Sequence, residues 1–265
     1  GSYNSSVNKD AQQTGIFNNL DFKLSDSFTV SGGLRFDENS HHGSQSTYRA
    51  GSYYKISDLI LFGSFASGYK NPTMYEMFGA DSYGYTGNPN LSPENSYNKE
   101  IGLSINNKFL ELAFFDTSIE DMISYGNSTY SNDTSGSSTM QGFDISSQIL
   151  YKDIYIDSSY SHVHAVDSSN VWLKRRPHDI FFTSINYAKD KWWIKPSLSY
   201  YGKHSDTHSV NYSTIQVEGT SIIDISLGYM NFKMDINNIF DEEYERPHGY
   251  NQGGRLLNLT YEKKF

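Results

Sequence analysis

The 265 residues carry 21 Lys plus Arg against 30 Asp plus Glu, a formal net charge of −9, and no cysteine. That balance lacks the basic stripe of a nucleic-acid binder, and the missing cysteines exclude a disulfide framework and a thiolate metal site. Only 37% of residues are apolar although aromatics reach 15%, and no run approaches the ~20 mostly apolar residues of a transmembrane helix.

The opening GSYNSSVNKD has no apolar core. A signal peptide is therefore expected to have been removed, or to lie upstream of this chain. Beyond it the dominant signal is period-two alternation. A first strand is predicted near Gln12 and a second near Ser27. In SFTVSGGLRF, Phe28, Val30, Leu34 and Phe36 share one face, and Ser27, Thr29, Ser31 and Arg35 take the other. Further strands start near Ser46, Leu59, Ser96, Lys108, Ser137, Ile154, Arg176, Lys191, Val217, Asn231 and Arg255, about thirteen in all. Near the end, Ile225, Leu227 and Tyr229 oppose Asp224, Ser226 and Gly228. Phe232, Met234 and Ile236 then oppose Asn231, Lys233 and Asp235. No long stretch repeats at helical spacing.

The connections alternate in kind. Tight turns are predicted at Ser25-Asp26, Ser57-Asp58, Asn106-Asn107, Lys152-Asp153, Lys189-Asp190 and Met230-Asn231. The others are long and rich in Ser, Asn, Gly, Tyr and His, the longest running roughly from Asn71 to Asn95. Short turn and long loop in alternation is the pattern of an outer-membrane antiparallel β-barrel, with short turns toward the periplasm and long loops outside. Arg35, Asp224, Lys233 and Asp235 on the polar faces suit a wet lumen. A soluble sandwich would alternate its loops less strictly. The expected all-β fold is a transmembrane barrel, but an odd strand number leaves the first and last strands running the same way, so either the count is off by one or this chain supplies only part of a larger barrel.

Three stretches carry a resemblance. GSFASGYKNPTMYEMFG runs off a strand into the longest loop. GYTGNPNLSPENSYNKEIGL follows, with Asn88, Pro89, Leu91, Pro93 and Glu94 in an Asn-Pro-x-Leu-x-Pro-Glu element. INNIFDEEYERPHGYNQGGRLLNLTYEKKF closes the chain, with Asn238, Ile239, Phe240, Asp241 and Tyr244 in an Asn-Ile-Phe-Asp-x-x-Tyr element. Together they resemble the C-terminal part of TonB-dependent outer-membrane receptors, most closely the cobalamin receptor branch. The resemblance covers essentially all of residues 1–265. It implies the last thirteen strands of a 22-stranded plugged barrel, with the plug domain and first strands absent. It implies no enzyme and no cofactor, but a receptor in the cell outer membrane of a Gram-negative bacterium. Such a receptor binds a scarce bulky nutrient (cobalamin-like, or an iron chelate or haem) at extracellular loops and imports it with TonB-coupled energy. The implied partners are outer-membrane lipid and lipopolysaccharide, the TonB energy-coupling complex acting through the plug, the barrel assembly machinery, the missing N-terminal part of the barrel, and the small-molecule nutrient. Nucleic acid is not among them. A passive porin-like channel and a surface adhesin barrel are the alternatives.

Candidate ligand contacts are the loop aromatics and their neighbours: Tyr75, Phe78, Tyr83, Tyr85 and Asn88 in the longest loop, and Tyr244, His248 and Tyr250 in the last one. Tyrosine offers large amphipathic contact area at small entropy cost. On the final strand Arg255, Leu257, Leu259, Tyr261, Lys263 and Phe265 share a face. The resemblance makes Leu257, Leu259, Tyr261 and Phe265 an assembly signal, with Lys263 departing from the usual aromatic there. His41-His42 and His162/His164 invite a metal, but no third ligand is specified, and none is assigned. No zinc-peptidase, phosphate-loop or nucleophile-elbow pattern occurs. Lys174, Arg175 and Arg176 are expected to form a solvated strand end that meets lipopolysaccharide phosphates, with an anionic-ligand contact as the alternative.

Overall fold

The computed structural model of the chain describes residues 7, 9–106 and 108–263. Its strands are β1 (Gln13–Lys23), β2 (Phe28–Asn39), β3 (Gly43–Ile56), β4 (Leu59–Lys70), β5 (Glu94–Ile105), β6 (Leu110–Glu120), β7 (Ile123–Gly126), β8 (Thr129–Asn132) and β9 (Ser137–Tyr151). They continue as β10 (Ile154–Val166), β11 (Asp179–Lys189), β12 (Trp192–Tyr201), β13 (His204–Thr207), β14 (Thr214–Val217), β15 (Thr220–Tyr229), β16 (Phe232–Asn237) and β17 (Leu256–Tyr261). One helix, α1 (Met74–Phe78), lies between β4 and β5. Thirteen strands form one sheet in chain order, β1 to β6, β9 to β12, then β15, β16 and β17. β7–β8 and β13–β14 are separate two-stranded hairpins within long connections. The fold is all-β, as the alternation predicts.

Register keeps like with like. On one face Leu227 lies opposite Met234 and Met234 opposite Leu259, while Tyr229 faces Phe232 and Phe232 faces Tyr261. On the other face Ser226 lies opposite Asp235 and donates its hydroxyl to it at 2.6 Å. Lys233 Nζ pairs with Asp235 at 3.0 Å, and Arg35 Nε with Asp37 at 2.6 Å. The strand apolar row is not buried: Ile16 is 72% exposed and Leu259 75%. Among the described residues the buried apolar side chains are few: Met77, Tyr85 and Leu91 lie in one connection, Ala165 and Val166 at the end of β10, and Ile222 in β15. An exposed apolar stripe above charged partners on the opposite face is the pattern of a strand set between lipid and water. β1 and β17, the two ends of the strand order, are exposed at every residue.

The tight turns carry left-handed residues, among them Ser57, Lys152, Asp190 and Met230 at φ 54°, 53°, 55° and 51°. Such conformations match the twist of paired strands. Several boundaries differ from expectation. The β2–β3 connection is not long. Its strands zip up to the Asn39–Gly43 pair. Asn39 Oδ1 then accepts the His41 and His42 N–H groups at 2.9 and 3.2 Å, which closes the reversal over Ser40–His42. Residues 44–46 look like loop by polarity, but they pair with Glu38, Asp37 and Phe36 and so extend the ladder. The turn expected at Lys189-Asp190 is Asp190-Lys191. β11 starts at Asp179 rather than near Arg176 because Pro177 lacks an N–H and the His178 N–H bonds Lys203. β15 starts at Thr220 because Thr214–Val217 is spent in a loop hairpin. Arg255 and Lys263 flank β17 rather than extend it, and Phe265 lies outside the described residues.

The chain divides into two compact units. One comprises residues 1–101, 115–141 and 166–171; the other comprises 102–114, 142–165 and 172–265.

Candidate ligand-binding surface

In the first unit the 71–93 connection is built around a tyrosine stack. Thr73 Oγ1 accepts the Glu76 N–H at 3.2 Å while Glu76 Oε2 accepts the Thr73 N–H at 2.7 Å, a reciprocal cap that starts α1. α1 presents Tyr75 to Tyr85, whose rings stack at 4.8 Å and 23°. The Tyr85 hydroxyl donates to the Tyr75 carbonyl at 2.6 Å. Asp81 Oδ1 accepts the N–H groups of Tyr83 and Tyr85 at 2.8 and 3.0 Å, which folds the segment back on the helix. Tyr85 is therefore buried, at 4% exposure, whereas Tyr83 stands out at 79%. From the β7–β8 hairpin, Tyr125 and Tyr130 pair edge to face at 5.2 Å and approach Tyr85 at 6.0 and 5.8 Å. Burial, then the neighbouring Tyr75, Tyr130, Glu76 and Tyr125, pushes the Tyr85 phenol up to about 12. Burial and Glu76 raise that of Tyr130 as well.

The Asn-Pro-x-Leu-x-Pro-Glu element is the clasp of this assembly. The Asn88 side chain donates to the Tyr130 carbonyl at 3.0 Å and its oxygen accepts the Asn90 N–H at 3.0 Å. Asn132 Oδ1 accepts the Ser92 N–H at 2.9 Å, and its amide donates to the Ser92 and Asp121 carbonyls at 2.9 and 2.7 Å. Glu94 Oε1 takes Lys70 at 3.1 Å and the Ile123 N–H at 2.8 Å. A Cβ on Gly87 would lie 2.6 Å from the Met77 carbonyl, so no larger residue fits there. Phe78 is half-buried, with the His41 ring at 5.9 Å and Lys9 Nζ at 5.4 Å.

In the second unit the last connection opens with Asn238, buried and left-handed at φ 51°. Its side chain donates to the Glu242 carbonyl at 2.8 Å and accepts the Glu242 N–H at 2.9 Å. Asp241 Oδ1 takes the Arg255 N–H at 2.6 Å, so the Asn-Ile-Phe-Asp element ties the start of the loop to the entry of β17. Farther out, Asp206 on β13 is completely buried. It accepts Arg175 Nε–H at 2.8 Å, the Thr207 N–H at 2.7 Å and the His248 N–H at 2.9 Å. Burial alone would push its carboxyl up, but these three donors hold it below the ordinary carboxylate value. His248 Nδ1 meets Glu245 at 2.6 Å and its ring lies 5.0 Å from His208. The Arg246 guanidinium lies 3.4 Å from the Tyr201 ring centre and 5.8 Å from that of Tyr244. Trp172 stacks on His178 at 3.7 Å and meets His164 edge-on at 4.5 Å.

The predicted contacts thus sort by role. Tyr75, Tyr83 and Tyr250 present exposed ring surface. Tyr85 and Asn88 build the support beneath, and His248 is held by backbone and carboxylate partners. Arg175 keeps a largely accessible side chain, as expected of a strand-end cation, but it also pairs with the buried carboxylate of Asp206. His162 bonds Asp179 at 2.8 Å. Among the described residues no group of three or more His, Asp or Glu is arranged to hold a metal. Tyr125, Tyr130, Asn132 and Asp206 are missed by sequence reading. Tyr125 and Tyr130 flank Gly126-Asn127-Ser128-Thr129, and that turn run between alternating residues is the hairpin signal that could have found them.

The family model described as TonB dependent receptor-like, beta-barrel matches residues 1–239. The chain belongs to that family. It is accordingly an outer-membrane protein of a Gram-negative bacterium. A vitamin B12 transporter of Photobacterium profundum is 26% identical over 268 residues, 95% of this chain and 43% of the relative. That of Vibrio cholerae serotype O1 (strain M66-2) is 29% identical over 246 residues, 86% of this chain and 39% of the relative. Among solved structures, the siderophore receptor PirA of Acinetobacter baumannii superposes with a TM-score of 0.76 at 20% identity, covering 95% of this chain and 46% of its own. The ferric-catecholate import receptor Fiu of E. coli K12 does so with 0.77 at 18%, covering 94% and 44%. At these identities the structural likeness concerns the fold. The chain spans less than half the length of the relatives it matches.

Proposed function

We propose that this chain is the C-terminal barrel portion of an outer-membrane receptor that captures a scarce, bulky nutrient at its long loops and imports it with TonB-coupled energy. The relatives named for vitamin B12 and for siderophores support the general activity. The observation that carries the site is the tyrosine surface of the first unit, where exposed Tyr75, Tyr83 and Tyr125 stand on a support locked by Tyr85, Tyr130 and Asn88. A rigid support beneath exposed aromatic rings lowers the ordering cost of binding. Coupling would run through a plug domain supplied outside these residues, and strands preceding β1 would complete the barrel wall. The β17 row of Leu257, Leu259 and Tyr261 would serve recognition by the assembly machinery, together with Phe265.

The full-length receptor tests this. Nutrient uptake should be saturable and abolished by an uncoupler, and Tyr75→Ala, Tyr83→Ala and Tyr125→Ala together should weaken binding by about 2 kcal/mol or more at normal surface levels. Non-saturable, uncoupler-insensitive passage would mark a porin instead. Unchanged affinity in the triple variant would remove the tyrosine surface as the site.

A further inference from the structure

Residues 71–93 and 121–136, which form the tyrosine surface of the first unit, contain Glu76, Asp81, Asp121 and Asp133 and no lysine or arginine. Two cations that meet these segments are already engaged: Lys70, which directly precedes residue 71, pairs with Glu94 at 3.1 Å, and Lys9 lies over Phe78 at 5.4 Å. Burial also lowers the pKa of His42, which keeps that ring neutral. Proteins hold polyanions with arginine forks, with lysines or with helix N-termini. Neither side chain is present here. The one helix N-terminus, that of α1, is capped by its own Thr73 and Glu76. Three of the four carboxylates are also committed to the fold. Glu76 caps the helix, Asp81 holds Tyr83 and Tyr85, and Asp133 accepts the hydroxyls of Ser135 and Ser168, each at 2.5 Å. They cannot be traded for ligand contacts without opening the loop, so their field is a fixed property of the surface.

Taking the tyrosine surface as the receptor's site, we propose that it selects a ligand without net negative charge and discriminates against polyanionic ferric chelates. Neutral ring faces and exposed hydroxyls offer stacking and hydrogen bonding to a large neutral molecule. They offer a tris-catecholate complex no counter-charge.

The full-length receptor in detergent would be titrated with vitamin B12, a corrinoid whose charges cancel, and with ferric enterobactin, a polyanionic chelate, at low and high salt. Vitamin B12 should bind with little salt dependence and lose at least about tenfold in affinity when Tyr75, Tyr83 and Tyr125 become alanine. Ferric enterobactin should bind at least about a hundredfold more weakly. Placing cations at exposed sites of the same surface, Ser82→Lys with Asn90→Lys, should narrow that gap by raising ferric enterobactin affinity. Ferric enterobactin binding as tightly as vitamin B12 and lost in the tyrosine variant would overturn the charge preference and leave the receptor site standing. Binding of both probes unaffected by the tyrosine substitutions, or binding of neither, would overturn both.

Discussion

Arg175 donates its Nε–H to Asp206 across 2.8 Å, and the two differ completely in exposure: the Arg175 side chain is 57% accessible, that of Asp206 not at all. The carboxylate joins three segments, because it also accepts the N–H of Thr207 in its own hairpin and that of His248 in the last connection. Removing the guanidinium by Arg175→Ala leaves a buried charge with backbone donors only. We expect roughly 2–3 kcal/mol of lost local stability, a figure set below that of fully buried pairs because Arg175 is half solvated. Hydrogen exchange in the full-length receptor should speed up in β13, β14 and residues 244–251. Unchanged exchange there would mean that the backbone donors alone hold the carboxylate.

Asp206 also sets a pH response. Its folded pKa is depressed, so the stabilisation is fully present above the ordinary carboxylate value of about 3.9 and is lost as pH falls through the lower folded value. Exchange protection of the β13–β14 hairpin should hold through mild acid and fail only below roughly pH 4. Asp206→Asn should remove that acid step while lowering protection at neutral pH. A wild-type transition near neutrality would contradict this.

His178 responds in a milder range. Burial lowers its pKa, with Asp179 opposing and the neighbouring histidines assisting. The neutral ring stacked on Trp172 is therefore stable above the unfolded imidazole value of about 6.5, and that stability is lost as pH falls through the folded one. In a receptor with Trp172 as the only tryptophan of this segment (Trp192→Phe, Trp193→Phe), Trp172 emission should change below about pH 6.5. His178→Gln should abolish the change.

Tyr85 and Tyr83 should behave oppositely. Tyr85→Ala empties a buried ring site and should cost about 3–5 kcal/mol of loop stability. Tyr85→Phe, which removes only the bond to the Tyr75 carbonyl, should cost about 1 kcal/mol. Tyr83→Ala should leave stability within ~0.5 kcal/mol. Proteolysis of the 71–93 connection in the assembled receptor would read all three, and equal effects of the two alanine variants would refute the division of roles.

Asn238 serves two functions that substitution separates. Asn238→Gly keeps the left-handed backbone but loses both bonds to Glu242, and should destabilise the turn by about 1–2 kcal/mol. Asn238→Ala adds backbone strain and should cost about 1 kcal/mol more. Thermal release of the last connection, followed by hydrogen exchange at residues 239–243, would rank them. Alanine no worse than glycine would count against the strain.

All thirteen sheet strands are visible in the sequence, and for a physical reason. A strand between lipid and water must alternate at every step, so Phe28, Val30, Leu34 and Phe36 announce it without help from distant residues. The Asn88–Glu94 and Asn238–Tyr244 elements announce the family as well, because a clasp and a left-handed turn demand specific residue types at fixed spacing. What the sequence does not show is which loop residues meet. Tyr85 and Tyr83 are two positions apart and chemically identical, yet one is buried and the other exposed. The difference arises from Tyr75 on α1 and from Tyr125 and Tyr130 on a hairpin some forty residues away, contacts that no local pattern encodes. Likewise Arg175 looks like any surface cation until the fold sets a buried carboxylate from β13 beside it. Strand identity is decided by each residue's own choice of face. Site identity is decided by pairs distant in the chain, and only the closed loops bring those pairs within reach.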